Sequence, residues 1–416
     1  MRTTARSWLA NSQTTSICTT ATSSTSSAST PCATFTCTAM VVCTWTSTLP
    51  VFARSRSYRS RRAASRWACR ARRSDPAPEF FDLGAAPRGA AIATFSFGGV
   101  YTNGKTIPSS SALFRPEQGG IHPREAADHH SLLSGNLFKE FISKNHIPVN
   151  QIDAIAFSQG PGLGPCLRVG ASVARSLSDK IGKPLVGVNH CVAHIEIGRL
   201  QTGCQDPVLL YVSGGNTQVI ARNGSRYRVI GETLDIGIGN MLDKFARTQG
   251  IPFPGGPKIE KLANEWEKGN PSASLDEIIL PYGIQGMDLS FSGILTAAVQ
   301  KVSDGHSLQE VCWSLQEHSF SACIEVAERA LAHTGKSELL LGGGVACNER
   351  IREMARLMCK DRGATAFWPE KQYCVDNGTM IAELGRKMLK HDIYTKLEDS
   401  AIDPSMRTDH AEVVWD

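Results

Sequence analysis

From about residue 89 onward, apolar and polar positions alternate in blocks that switch between strand and helix periods. Residues 90–97 (AAIATFSF) have the apolar and aromatic run of a strand, and Thr102-Asn103-Gly104-Lys105 has the Asn-Gly chemistry of the turn after it. Residues 124–142 repeat at helical spacing and contain the pair His129-His130. The run IDAIAFS at 152–158 is apolar enough for a buried strand. A glycine- and proline-rich loop at 160–165 follows, then a helix to about 180 and a strand over 184–188.

The second half repeats the theme. VLLYV at 208–212 runs into Ser213-Gly214-Gly215-Asn216-Thr217, and a strand at 218–222 completes a hairpin with a polar mouth. Residues 231–247 read as mostly helical, whereas 251–257, with three Pro and two Gly, must be loop. A long amphipathic helix is predicted over 315–334. A buried strand at 338–341 opens on Gly342-Gly343-Gly344, ahead of a helix over 349–362. Such alternation predicts an α/β fold with a substantial parallel component. The division it suggests is a low-complexity tail (1–86), a first α/β lobe (87–206) and a second (207–416).

Composition sharpens that division. The chain has 416 residues, 41% of them hydrophobic, enough for a real core. No stretch reaches the ~18 consecutive apolar residues of a membrane-spanning helix, and no membrane partner is expected. Residues 1–74 hold eleven Arg and no Lys, Asp or Glu. Of the overall +5, they carry +11, which leaves −6 on the other 342 residues. The body is therefore mildly acidic, and any RNA contact must use local patches. The Arg-rich tail suits a transit peptide, a basic arm or a solvated leader without function. Thirteen cysteines, an odd number without a CxxC pair, point to free thiols in a reducing compartment.

Two constellations could do chemistry. His190 and His194 stand at i and i+4, on one face of a helix, a spacing that serves a metal ion or ordinary core packing. Cys191 occupies the place where an HExxH metallopeptidase has its general-base Glu. Asp376, in Asp376-Asn377-Gly378, is a third candidate ligand, or a turn and helix start. The loops Ser213–Thr217 and Gly342–Gly344 are the second constellation: glycines permit positive φ and close approach, so successive amides can converge on phosphate oxygens. Asp243, Gly256, Glu260 and Asn348 lie between or beside these loops and could hold sugar hydroxyls, or be ordinary helix-surface residues.

Seven strings together resemble one family: NHCVAHIEIGRL, LLYVSGGNTQVIA, GETLDIGIGNMLDKFAR, GMDLSFSGILTA, SLQEHSF, GGGVACNERI and DNGTMIAELG. They are similar to the catalytic subunit of the KEOPS complex, a tRNA N6-adenosine threonylcarbamoyltransferase earlier grouped with O-sialoglycoprotein endopeptidases. The resemblance implies an actin-like ATPase (ASKHA) fold, two α/β lobes around a nucleotide cleft. It implies a divalent metal ion, zinc or iron, held by His190, His194, Tyr211 and Asp376. Tyr211, Val212, Ser213, Gly214 and Gly215 would line the substrate site, with Asp243, Gly256, Glu260 and Asn348 on the adenylate and its ribose. The implied reaction moves the threonylcarbamoyl group of threonylcarbamoyl-AMP to N6 of adenosine 37 in tRNAs that read codons beginning with A. Implied partners are tRNA, a small atypical kinase and small accessory subunits, in cytoplasm and nucleus; mitochondrial targeting by the tail is the lesser expectation. One departure stands out. Residues 81–97 lack the family's opening Gly-x-Glu-Gly-Ser-Ala-Asn-Lys pattern, so the first phosphate-side hairpin is expected to be missing, or the first ~100 residues to come from another reading frame. A non-catalytic scaffold, or less readily a metallopeptidase, is the alternative reading.

Overall fold

The structure is a computed structural model that describes residues 93–114, 122–275 and 278–415. The tail expected over 1–86 lies outside the described residues.

Strand β1 (Ala93–Val100) turns back into β2 (Thr106–Phe114) as an antiparallel pair. Lys105 N donates to the Asn103 side chain at 3.0 Å, so the predicted polar turn holds the hairpin. The strand runs three residues beyond the expected 90–97 window, because small and apolar residues continue through Gly98-Gly99-Val100. Next come α1 (Pro123–Lys144), β3 (Ile155–Gly160), α2 (Gly164–Ile181), β4 (Leu185–Asn189) and α3 (His190–Thr202). β3 and β4 pair in parallel, with α2 as their crossover.

The second half starts with β5 (Val208–Val212), β6 (Thr217–Asn223) and β7 (Arg226–Glu232), then α4 (Ile238–Thr248). Here the helical expectation for 231–247 is corrected. Tyr227 and Arg228 already alternate buried and exposed as in a strand, β7 runs to Glu232, and the helix begins only after Gly237. There follow α5 (Gly256–Gly269), the two-residue strands β8 (Ile284–Gln285) and β9 (Asp288–Leu289), and α6 (Ser292–Ser303). Helix α7 (Leu308–Thr334) starts seven residues before the predicted 315, because Ser307 caps it by accepting from Glu310 N at the head of a Ser-x-x-Glu box. Then come β10 (Glu338–Gly342), α8 (Glu349–Asp361), β11 (Thr365–Phe367), α9 (Lys371–Cys374) and α10 (Gly378–Lys390).

The main sheet has five strands in the order β11-β10-β5-β6-β7, the first three parallel and the last two antiparallel. This is the α/β class the sequence predicts. The strands of residues 93–189 are arranged differently. Among the described residues β1–β2 and β3–β4 are separate two-stranded ribbons, and no hydrogen-bonded strand joins β1 to β3. Helix α10 packs on all four of these strands. Phe95, Phe97, Phe141 and Phe157 form a shared core beneath the ribbons.

The seam between β1 and α10 is backbone against backbone. A Cβ on Gly98 would lie 2.2 Å from Thr379 N, and one on Gly378 would lie 2.3 Å from Gly98 N. Closeness of this kind needs glycine on both sides. Gly98→Ala should therefore lower the unfolding free energy by about 1–3 kcal/mol. The control is Gly269→Ala, whose added methyl meets open space. Urea unfolding of the two variants side by side checks the difference.

Candidate metal centre and nucleotide cleft

Strand β4 ends at Asn189, whose side chain accepts from Cys191 N and Val192 N and so starts α3. His190 and His194 then stand one helical turn apart, their rings 5.0 Å between centroids. The strap between α9 and α10 brings Asp376 to them. Asp376 Oδ1 lies 3.3 Å from His190 Nε2 and 3.0 Å from His194 Nε2. Asn377 fixes the strap by capping α10 through Met380 N and by donating to Val375 O. Tyr211, the last but one residue of β5, puts its ring 4.8 Å from that of His194.

All four residues are buried. Burial opposes the Asp376 charge, yet the facing His190 and His194 imidazoles hold its carboxyl well below the usual carboxylate range. Burial also depresses His194, which keeps that imidazole neutral with a lone pair available. The Tyr211 hydroxyl, bonded to the Ser213 side chain, is pushed up by burial and then by the Asp376 charge.

The donor chemistry fits a divalent cation. One ligand atom from each of His190, His194 and Asp376 lies within 4.8 Å of the others, an N,N,O set on a closed interior wall. His190 Nδ1, His194 Nδ1 and Asp376 Oδ2 have no hydrogen-bond partner, so a bound cation would offset the burial of that charge. The His129-His130 pair is not among the converging groups: His130 packs on Phe95, and burial pushes it down to about 4.

The two glycine loops meet at this wall. Gly342 pairs with Tyr211 in the parallel register of β10 and β5, so both strands end side by side. Gly343 takes φ 92°, donates its N–H to Cys374 O at 3.0 Å, and leaves only 2.3 Å between a notional Cβ and Val212 O. Neither Gly214 nor Gly215 has positive φ, which corrects that part of the glycine argument. Their loop is instead closed by Ser213, which exchanges bonds with Asn216, and is pressed on the start of α4. A Cβ on Gly239 would be 2.9 Å from Gly214 Cα. This packing ties the start of α4 to the loop: Gly239 N donates to Ser213 O at 3.2 Å, and Ile238 N donates to Thr217 Oγ1 at 2.9 Å.

The ribose candidates cluster on the α4, α5 and α8 side. Asp243 Oδ1 accepts from Gly255 N at 2.8 Å, which ties α4 to the residue before Gly256. Burial pushes the Asp243 carboxyl up to about 6, against the pull of the Gly255 and Gly256 amides. Glu260 accepts from Glu349 N at 2.8 Å, next to Asn348. Asn348 caps α8 through Arg350 N and donates to Gln316 at 2.7 Å. Thus Asp243 and Gly256 adjoin, as do Glu260 and Asn348.

Two buried or half-buried acids escaped the sequence reading. Asp235 accepts from Ile236 N, Phe291 N, Ser292 N and Ser290 Oγ, and so clamps the loop before α6. Burial pushes its carboxyl up, but those bonds outweigh it and hold it at about 2. Glu196, fully buried on α3, accepts from Tyr227, Arg199, Lys387 and Trp415. It anchors the histidine helix to β7, α10 and the C-terminal segment. The available signal was its place as the lone acid in the apolar HCVAHIEI string.

Replacing Asp376 by Ala removes the anionic ligand and leaves two imidazoles as the inner set. Zinc affinity of the full chain should fall about 100-fold or more. Competition with a chromogenic chelator measures it.

Comparison with known proteins agrees with the strings that carry this site. Residues 106–383 match the family model for tRNA N6-adenosine threonylcarbamoyltransferase. A protein of that name from Methanococcoides burtonii is 54% identical over 313 residues, 74% of this chain and 90% of that protein. One from Thermococcus kodakarensis is 52% identical over 319 residues, 76% of this chain and 95% of that protein. A probable bifunctional tRNA threonylcarbamoyladenosine biosynthesis protein of Methanosarcina mazei is 53% identical over 319 residues, but the chain spans only 57% of its length. Among solved structures, T. kodakarensis HypF covers 73% of this chain and 48% of its own, with TM-score 0.49 and 14% identity. On the family match and these identities, the chain belongs to the tRNA N6-adenosine threonylcarbamoyltransferase family, a family of transferases.

Proposed function

We propose that this chain transfers the threonylcarbamoyl group of threonylcarbamoyl-AMP to N6 of adenosine 37 in tRNAs reading A-starting codons. The observation that carries the reading is the junction of two strand ends with the Asp376 strap. Tyr211 and Gly342 are register partners, and Asp376 faces the two α3 imidazoles beside them. Ligands of open α/β sheets bind at such carboxyl ends of parallel strands. We place the cleft between two actin-like lobes that divide near residue 206.

In this reading His190, His194, Tyr211 and Asp376 hold one divalent ion, zinc or iron. When bound, it would supply Lewis acidity toward the carbamoyl oxygen. Val212, Ser213, Gly214 and Gly215 line the donor site, next to the α4 N-terminus. Asp243 and Glu260 accept ribose hydroxyls, and Gly256 and Asn348 shape the nucleoside side. In the transfer, the N6 nitrogen attacks the carbamoyl carbon, the bond from that carbon to the phosphate oxygen breaks, and AMP leaves. One N6 proton is lost, and the phosphate oxygens of the departing AMP are the nearest base the reaction itself provides.

We infer assembly with KEOPS-type partners, a small atypical kinase and small accessory subunits. The mildly acidic body supports RNA contacts shared with such partners.

The direct test incubates the chain and those partner subunits with threonylcarbamoyl-AMP and unmodified tRNA, followed by nucleoside mass spectrometry. Modified adenosine should appear with wild type and fall at least about 100-fold with Asp376→Ala. Metal bound normally without product would favour the scaffold reading. Adenylate affinity gives a second check. Because the Asp243 carboxyl is pushed up to about 6, it is a charged acceptor above that pH and protonated below it. Binding should weaken as pH falls from 7 to 5, and Asp243→Asn should flatten the profile. Calorimetric titration at several pH values reads both.

A further inference from the structure

Helix α3, which carries His190 and His194, is gripped at two places by one segment of chain. Residues 395–407 run past β4 and the end of β3. Thr395 N donates to Leu185 O at 2.7 Å, Asp403 N to Gln159 O at 2.9 Å, and Gly162 N to Pro404 O at 3.1 Å. The segment then reaches Asn189, whose Oδ1 caps α3 and whose Nδ2 donates to Arg407 O at 3.3 Å. Beyond that point it crosses to β7, where Glu412 pairs with Arg226, and Val413 N donates to Ser225 O at 2.7 Å. It comes back to α3 at Trp415, whose Nε1 donates to Glu196 Oε1 at 3.0 Å. Val413 is buried in the same core as Val192 and Ile195 of α3. The two grips, Asn189 and Glu196, are about two helical turns apart, and both imidazoles stand between them. Glu196 follows His194 by two residues, about 200° around the helix, so a pull on it acts on the face away from that ligand. Its Oε2 accepts from Lys387 of α10, the helix that Asp376 precedes.

We propose that Trp415 is a positioning residue for the metal centre, acting through Glu196, and that residues 407–415 are a splint that fixes how α3 presents His190 and His194 to Asp376. The inference rests on the reading of those residues as a divalent-ion site. A ligand set binds its ion well only when its members are held to within about 0.5 Å, by neighbours that are themselves fixed. Apolar packing resists separation of α3 from its surroundings but is non-directional, so it restrains rotation and axial sliding poorly. Hydrogen bonds at both ends of the ligand turn restrain both motions. The indole N–H is a single donor with no acceptor of its own, so its one bond decides where the end of the splint lies. Tyr227 donates to the same Glu196 oxygen at 2.6 Å, which fixes the carboxylate that Trp415 must meet.

The test measures zinc affinity of the full chain by chelator competition and the ligand-field absorption of the cobalt(II)-loaded chain, with urea unfolding alongside. Trp415→Phe keeps a ring and removes the N–H. It should lower zinc affinity about fivefold and shift the cobalt bands. Glu196→Gln should lower the affinity at least about tenfold. In the Glu196→Gln background Trp415→Phe should cost little more, as expected of a residue that acts through another. Phe320→Leu, in a core cluster that does not include α3, should lower urea stability and leave affinity and bands unchanged. Wild-type affinity and bands in Trp415→Phe would overturn the proposal. So would equal losses in both backgrounds, or a Phe320→Leu chain that loses zinc as Trp415→Phe does. A wild-type chain that binds no zinc would instead overturn the metal reading itself, and the proposal with it.

Discussion

A buried carboxylate facing two imidazoles is the constraint around which this protein is arranged. Taking Asp376 out of water costs several kcal/mol unless something answers its charge. His190 and His194 do so in part, and their placement demands a helix that begins at the end of β4. Asn189 starts that helix and Asn377 starts the one after the strap, so two asparagine caps aim the three ligands. Glu196 then pins the histidine helix from behind with one partner from each of three other regions, Tyr227, Lys387 and Trp415. The site is thus held by polar contacts that apolar packing alone could not orient.

Close backbone approach is the second organising theme. Gly343 touches Val212, Gly239 touches Gly214, and Gly98 meets Gly378. Each contact removes a side chain where two segments must converge, and each lies near a strand end or helix start. Glycine lets backbone meet backbone at these junctions, while the acids Asp243 and Glu260 come from helices α4 and α5.

Much of this was legible in the sequence, for identifiable reasons. β5 was read residue for residue because VLLYV is bounded by Pro207 and Ser213. The i, i+4 histidines needed only helix geometry. The boundary of α4 was misread because β7 is short and its alternation blends into the Gly-rich stretch after it. Tyr211 as a site residue was beyond spacing arguments, since its partners lie 17 and 165 residues away and only the β5–β10 register and the strap bring them together. Asp235 and Glu196 went unread because local sequence does not show which distant donors a carboxylate will meet. Asp243 and Asn348 were named beside the glycine loops as candidates for sugar hydroxyls, but their roles as clamps within the fold became visible only with Gly255, Gln316 and Arg350 in place.

The split between the β1–β2 and β3–β4 ribbons gives α10 an unusual standing. Within the described residues no strand ladder couples the ribbons, so a single helix acts as their keel. Asp376 lies two residues ahead of that helix. A ligand that binds only the folded form adds its binding free energy to folding. Any ligand gripping Asp376 would thereby steady α10, and through α10 both ribbons. Occupancy of the site and integrity of the first half of the fold are then one cooperative quantity, and the ligand is in effect part of the scaffold.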